Sequence, residues 1–173
     1  MFNTKKIKEF LIYYHDCEKY YYNELLKKFH DEYEYESVTD NSLERLVDSD
    51  DIDYVMRCIR ENYIAGISCA IVLVGNESWW WKYIDWGTKE ALDKQHGLLG
   101  VQLPTLLSNY SGQVNVPGRL NNNIEPVFSL SVILADFTAN ISSCRRYIEK
   151  ANRRSKTMIK NIYERCLRNA SYA

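Results

Sequence analysis

The feature that most constrains the fold is an almost continuous apolar run at residues 67–74, which the pair Gly75-Asn76 ends. Eight residues rich in β-branched side chains suit one strand and are too few for a packed helix. Because polar and apolar residues do not alternate in this run, we expect a strand buried on both faces, as in parallel sheets. The run therefore predicts the central strand of an α/β domain.

Strand-like and helix-like segments alternate over the first hundred residues. Further strands are predicted at residues 10–14, 33–38 and 98–103. Apolar residues at helical spacing predict helices over residues 18–29, 50–62 and 79–94. Asp16 is placed to cap the first of these helices. This order predicts a doubly wound, mainly parallel sheet, whose binding crevice lies beyond the carboxyl ends of the strands.

The last part of the chain is predicted to hold a long loop and a long helix. Residues 104–126, rich in Asn, Gly, Ser and Pro, are typical of a functional or mobile loop, and residues 127–134 predict a last strand. From 141 to 169 the apolar residues nearly follow a heptad, which predicts one continuous helix. We therefore expect a domain over residues 1–138 and a basic C-terminal helix within 139–173 that packs on it or extends from it.

Charge is segregated along the chain, although the formal net charge is only −1. Residues 31–53 contain ten acids and one base, whereas residues 141–173 contain nine bases and two acids. Nucleic-acid binding by the basic end is disfavoured, because aromatic residues such as Tyr163 are few among its charges. The favoured interpretation is docking on an acidic surface, which predicts a homo-oligomer with head-to-tail contacts. A two-fold helix seam and simple packing on its own domain remain alternatives.

Composition excludes several other classes of protein. A chain of 173 residues has room for one domain. Its five Cys form no CxxC pair and its three His are scattered, so we expect neither a disulfide framework nor a metal site. The N-terminal region lacks the features of a signal peptide, and no apolar run approaches the roughly 20 residues of a membrane span. These observations predict a cytoplasmic protein with no membrane contact.

Several segments, taken in order, resemble one known family. They are FLIYYHD at residues 10–16, DNS at 40–42, SCAIVLVGNES at 68–78, WKYIDW at 81–86 and LLGV at 98–101. Together they resemble the conserved segments of bacterial TIR-like domains, the family that includes the TIR proteins of Thoeris anti-phage defence. The likeness covers about residues 7–104 well and the rest of the chain loosely.

The resemblance implies a flavodoxin-like fold and a site that takes NAD as substrate without a metal. In enzymatic members a glutamate cleaves the bond between nicotinamide and ribose, and an ADP-ribose-type signal can be released. A carboxylate beside the ribose stabilises the positive charge that builds there. Carried onto this chain, the resemblance implies binding of NAD or an ADP-ribose derivative, and a phage-derived trigger. The implied binding residues are Tyr14, His15, Asp16, Asp40, Ser42, Asn76 and Trp86.

The chain departs from the family pattern at the catalytic position, which Gly87 occupies. The protein can be an inactive module, the glutamate can have migrated, or the glycine can be an engineered change. Glu90 is the migration candidate, about 4.5 Å along the helix axis and about 60° around it from Gly87. The function predicted by resemblance is NAD processing in anti-phage signalling, with a catalytically inactive assembly or adaptor module as the alternative.

Overall fold

The described part of the chain forms a five-stranded sheet in which every pair of neighbouring strands is parallel. The computed structural model describes residues 8–31, 36–37, 50–64, 66–124 and 128–166. Its strands are β1 (Lys8–Ile12), β2 (Glu36–Ser37), β3 (Cys69–Val74), β4 (Gly97–Gln102) and β5 (Leu130–Ile133). Their spatial order is β2-β1-β3-β4-β5. This is the flavodoxin-like order, so the predicted fold class is confirmed.

Helices cover both faces of the sheet. They are α1 (His15–Asp31), α2 (Ile52–Cys58), α3 (Lys82–Asp93), α4 (Gly118–Ile124), α5 (Leu134–Phe137) and α6 (Ile141–Asn152). A π-helical turn (Ile59–Ile64) continues α2, and 3-10 turns occupy Ser78–Trp80 and Lys156–Met158. Within the described residues, no helix has both the length and the hydropathy that a membrane span requires.

Strand β3 lies at the centre of the sheet and is buried on both faces. Ala70, Val72 and Val74 join one core, which α2, α3 and α4 cover. Cys69, Ile71 and Leu73 point the other way and join the core beneath α1 and α6. The alternation of strand side chains between two faces thus gives two apolar layers, as the continuous apolar run predicts.

An aspartate caps the N-terminus of α2, whereas the aspartate near the N-terminus of α1 lies inside the helix. Asp51 is the N-cap of α2, and its carboxylate accepts hydrogen bonds from the backbone N–H groups of Asp53 and Tyr54. Helix α1 begins at His15, so Asp16 lies within its first turn and the predicted cap position is wrong by two residues. An acid in the first turn still interacts favourably with the helix dipole.

The predicted long C-terminal helix is wrong beyond Asn152, where α6 ends. Cys144, Ile148 and Ala151 pack in the core of their own domain, so these seam residues are not available for a two-fold helix dimer. The next position of the predicted seam is Ser155, whose backbone is extended and which precedes the 3-10 turn Lys156–Met158. Between Asn152 and residue 166 the chain is therefore not α-helical. Residues 167–173 lie outside the described residues.

The predicted loop at 104–126 is partly a helix, since α4 occupies its second half. The Asn-rich sequence hides this helix, because Asn favours turns and caps over helix interiors. Tertiary contacts stabilise it instead. Leu120 is buried in the core, and the amide of the fully buried Asn123 donates to the Arg119 carbonyl oxygen, 2.8 Å away.

Candidate functional site

One buried carboxylate holds together the carboxyl ends of β1 and β3, where the strand order changes direction. Glu18 of α1 is 1% exposed. Its Oε2 accepts a hydrogen bond from the Tyr14 backbone N–H at 2.8 Å. Its Oε1 accepts from the Gly75 N–H at 3.1 Å and from the Ser78 hydroxyl. Glu18 therefore ties the end of β1 to the turn that follows β3.

The surroundings of Glu18 explain why its pKa is raised and why residue 75 beside it is a glycine. Burial raises the pKa of Glu18 to about 7, and the hydrogen bonds from Ser78, Tyr14 and Gly75 only partly offset this rise. A Cβ atom on residue 75 would lie 2.5 Å from Glu18 Oε1 and 2.8 Å from Thr105 Oγ1. Gly75 is thus required by the close approach of its neighbours.

Aromatic rings form one wall beside this junction. The Tyr14 ring packs against Trp81 and Trp80, with centroid distances of 4.7 and 5.7 Å. The Trp80 indole N–H donates to Glu77 Oε2 at 2.7 Å, which fixes the 3-10 turn after β3. The wall is apolar with a fixed polar rim, as in many small-molecule sites.

Three of the predicted binding residues lie at this edge of the sheet. Tyr14 follows β1, Asp16 is exposed in the first turn of α1, and Asn76 is exposed just after β3. Asp40 and Ser42 lie outside the described residues, as does the side chain of His15. The role of these residues in binding NAD stays a prediction.

Helix α3 contains Gly87, at the position of the glutamate in the resembling family. The carboxylate of Glu90, three residues further on, is bound in an ion pair. Gly87 is buried. The Glu90 side chain is 2% exposed. Arg60, from the π-helical turn, donates from Nε to Glu90 Oε2 at 2.9 Å and from Nη2 to Oε1 at 3.2 Å. A bidentate ion pair of this kind holds both carboxylate oxygens in place.

Helix α3 also contacts residues near the C-terminal end of the described chain. Trp86 is 2% exposed, and its indole N–H donates to the Cys166 carbonyl oxygen at 2.6 Å. Asp85 pairs with Arg119 of α4, at 2.7 Å between Asp85 Oδ1 and Nε. The role of Trp86 in binding NAD stays a prediction, and the indole N–H of this side chain is already hydrogen-bonded to Cys166.

A cavity of about 210 Å³ lies beside this pair. Much of its lining comes from residues 79–82 and 117–119, together with Tyr163, Glu164 and Cys166. Within this lining, Asp85 and Arg119 form an ion pair. No three His, Cys, Asp or Glu side chains in the described ranges come together in a way that could hold a metal ion.

The sequence alone does not distinguish Glu18 or Arg119 as site residues. Glu18 is one of several acids near the start of α1, and nothing in its spacing distinguishes the one that turns inward. Arg119 lies in a segment predicted to be a loop. The only available signal was the run of small and polar residues around it, which does not predict a buried guanidinium.

The fold and this site define a class, a flavodoxin-like α/β domain with its candidate site at the switch between β1 and β3. Residues 10–108 match a family model described as the TIR-like domain of Thoeris protein ThsB. Since the match spans more than half of the chain, the protein belongs to this family, as its motifs predict. Membership links it to anti-phage defence signalling. The comparison with curated proteins gives no match.

Proposed function

We propose that this protein is a binding and assembly module of Thoeris-type anti-phage signalling that does not cleave NAD from the family's glutamate position. The observation that carries this proposal is the state of α3. Gly87 has no side chain to place beside a ribose, and both oxygens of Glu90 are bound by Arg60. The function thus follows the alternative that the sequence leaves open at Gly87.

The chemistry of NAD cleavage explains why this arrangement matters. As nicotinamide leaves, positive charge builds on the ribose, and a carboxylate aimed at it lowers the barrier. The charge of Glu90 is already neutralised by a guanidinium, and its side chain is 2% exposed. Withdrawing it from Arg60 would leave a buried carboxylate without its guanidinium, which is costly. Glu90 is therefore a structural carboxylate in this proposal.

The second candidate function is cleavage of NAD to nicotinamide and an ADP-ribose-type signal. It is favoured by the crevice at the β1/β3 switch, because parallel sheets of this kind bind ligands at that point. Tyr14 and Asn76 lie at its edge. In the binding-module proposal, the same crevice holds NAD or an ADP-ribose derivative without turnover.

The deciding experiment is incubation of the full chain with NAD, followed by chromatographic measurement of nicotinamide. Wild type, Glu90→Gln and the matched control Glu149→Gln are compared, since Glu149 is an exposed acid on α6. We expect no release above the protein-free rate for any of the three. Release by wild type and Glu149→Gln that Glu90→Gln abolishes would overturn the proposal in favour of a migrated glutamate.

The proposed assembly is a homo-oligomer steered by charge. Residues 31–53 carry a formal charge of −9 and residues 141–173 one of +7. On α6 and directly after it, Arg145, Arg146, Lys150 and Arg153 are exposed. Sedimentation should show an oligomer at low salt that dissociates at about 0.5 M salt, where exposed charges are screened. A monomer at both salt concentrations would refute the assembly.

A further inference from the structure

Residues 159–166 lie in a groove between α3 and α4, although they form no helix or strand. They follow the 3-10 turn Lys156–Met158, which comes after the end of α6. The docking of this segment in the groove does not involve NAD chemistry. The groove is defined by Asp85, Trp86, Lys89, Arg119 and Asn123.

Arg119 is the centre of the groove and is 5% exposed. Its Nε and Nη2 donate to the two carboxylate oxygens of Asp85, at 2.7 and 3.2 Å. Its remaining hydrogen bonds reach the segment. Nη1 donates to the Tyr163 carbonyl oxygen and Nη2 to the Glu164 carbonyl oxygen, both at 2.9 Å. The Asp85–Arg119 pair therefore binds main-chain oxygens of an extended peptide.

The two ends of the segment are also recognised through the main chain. The Lys160 N–H donates to Asn123 Oδ1 at 2.8 Å, and Asn123 Nδ2 donates to the Lys160 carbonyl oxygen at 2.9 Å. These two hydrogen bonds occupy the same main-chain groups that a neighbouring β-strand would bind. At the other end, the Cys166 N–H donates to Asp85 Oδ2 at 2.9 Å while its carbonyl oxygen accepts from Trp86.

The groove also recognises one side chain of the segment, that of Asn161. Asn161 Oδ1 accepts from Arg119 Nη1 at 2.8 Å. Its amide nitrogen donates to the Lys89 carbonyl oxygen at 3.2 Å and to Asp93. Asparagine is suited to this position because it combines an acceptor and two donors in one plane. The groove thus distinguishes an extended peptide with Asn at this position from one without it.

Apart from Ile159, which packs against the core, the segment is held by polar contacts more than by apolar burial. Ile162 is 87% exposed and Tyr163 is 55% exposed. Separation of the segment would leave these two side chains in water as before, and Asp85 and Arg119 would still neutralise one another. Segments with few buried apolar contacts open at lower free energy than the core does.

We propose that the groove between α3 and α4 is a peptide-docking site from which residues 159–166 detach, and that the same segment of a second copy binds there in exchange. The two segments are chemically identical, so the groove accepts either. The chain's own segment is favoured only by its effective concentration, which the short connection after α6 sets. Exchange of this kind links copies through identical elements.

The test uses the full chain and a fluorescent peptide spanning residues 156–168, with Cys166→Ser in the peptide to prevent disulfides. Asn161→Ala in the protein weakens the resident segment and leaves the groove intact. We expect the peptide to bind this variant about tenfold more tightly than wild type, because its competitor is weakened. The control Ile162→Ala, at an exposed side chain, should bind the peptide as wild type does. A second peptide carrying Asn161→Ala should bind at least tenfold more weakly to every protein.

A second measurement keeps the proposal falsifiable without any variant. Hydrogen exchange on wild type should show the Lys160 and Cys166 amides exchanging at least tenfold faster than the amides of β3, since local opening precedes unfolding. The proposal is overturned if these amides exchange only with the core. It is equally overturned if the two peptides bind the Asn161→Ala protein alike, or if neither binds at 1 mM peptide, a concentration of order that of a tethered segment.

Discussion

Carboxylates at the strand ends and carboxylates on helix α3 are held in opposite ways. Glu9 and Glu18, which lie at the two ends of β1, are buried and are hydrogen-bonded to neutral donors. Asp85 and Glu90, both on α3, are each paired with a guanidinium. The comparison shows that burial of a carboxylate does not by itself indicate chemistry, because the partner decides whether the group is charged.

At the strand ends, neutral donors do not replace lost hydration. Burial raises the pKa of Glu9 to about 8, although the Ser68 hydroxyl, at 2.6 Å, and the Cys69 N–H bind it. Glu18 behaves alike, with a pKa raised to about 7. Near neutral pH Glu9 is therefore largely protonated in the folded chain, and Glu18 is partly so.

On α3, the guanidinium groups come from different neighbours. Arg60 extends from the turn after α2, and Arg119 comes from α4. Each donates two hydrogen bonds to its carboxylate, so α3 is fastened on both sides. Helix α3, which contains Gly87, is thus joined to the turn after α2, to α4 and to the C-terminal segment.

The largest expected effect comes from breaking the buried pair on α3. Arg119→Met should lower the free energy of unfolding by about 3–5 kcal/mol, because Asp85 loses its guanidinium and three contacts to the C-terminal segment are lost. Urea denaturation measures this. The control Arg153→Ala removes an exposed pair with Glu149 and should change stability by under about 0.5 kcal/mol. Equal effects of the two variants would contradict the assigned difference.

A smaller loss is expected at the other pair, because Arg60 is 46% exposed. Arg60→Met should cost about 2 kcal/mol, since water can partly compensate Glu90. The double variant Arg60→Met/Glu90→Gln removes the uncompensated charge and should recover part of this loss. Thermal and urea unfolding of wild type, Arg60→Met, Glu90→Gln and the double variant form a double-mutant cycle. A double variant no more stable than Arg60→Met would show that Glu90 is not the group left uncompensated.

The smallest expected change per measured step is a slope of stability with pH at the strand ends. Above the ordinary pKa of glutamate the folded chain retains the Glu9 proton and the unfolded chain releases it, so this group lowers stability as pH rises from about 4.5 to about 8. Relative to wild type, Glu9→Gln should gain about 1 kcal/mol per pH unit across that window. Urea midpoints at several pH values measure it.

An exposed acid on α1 provides the control for this slope. Glu24→Gln should change stability by under about 0.5 kcal/mol, because Glu24 is exposed on the surface of α1. A Glu9→Gln curve parallel to wild type would mean that Glu9 is ionised in the folded protein, which contradicts its shifted pKa.

The sheet could be predicted because its information is local. The apolar run before Gly75 and the alternation of strand and helix segments place β1, β3, β4, α1 and α3 close to their observed bounds. Part of the site could also be located, since the strands are parallel and their carboxyl ends meet at one edge. The motifs that resemble TIR-like domains led to the family that the comparison confirms.

The sequence by itself determined the fold class, the buried central strand and the absence of a glutamate at residue 87, because each depends on residue type and spacing alone. Only the tertiary structure decided where α6 ends, that Asn-rich residues form α4, and which carboxylates meet a guanidinium. The physical reason is that these outcomes depend on partners far apart in the chain. Arg119 and Asn123 bind residues 160–164 through backbone groups, and no periodicity in either segment encodes that pairing.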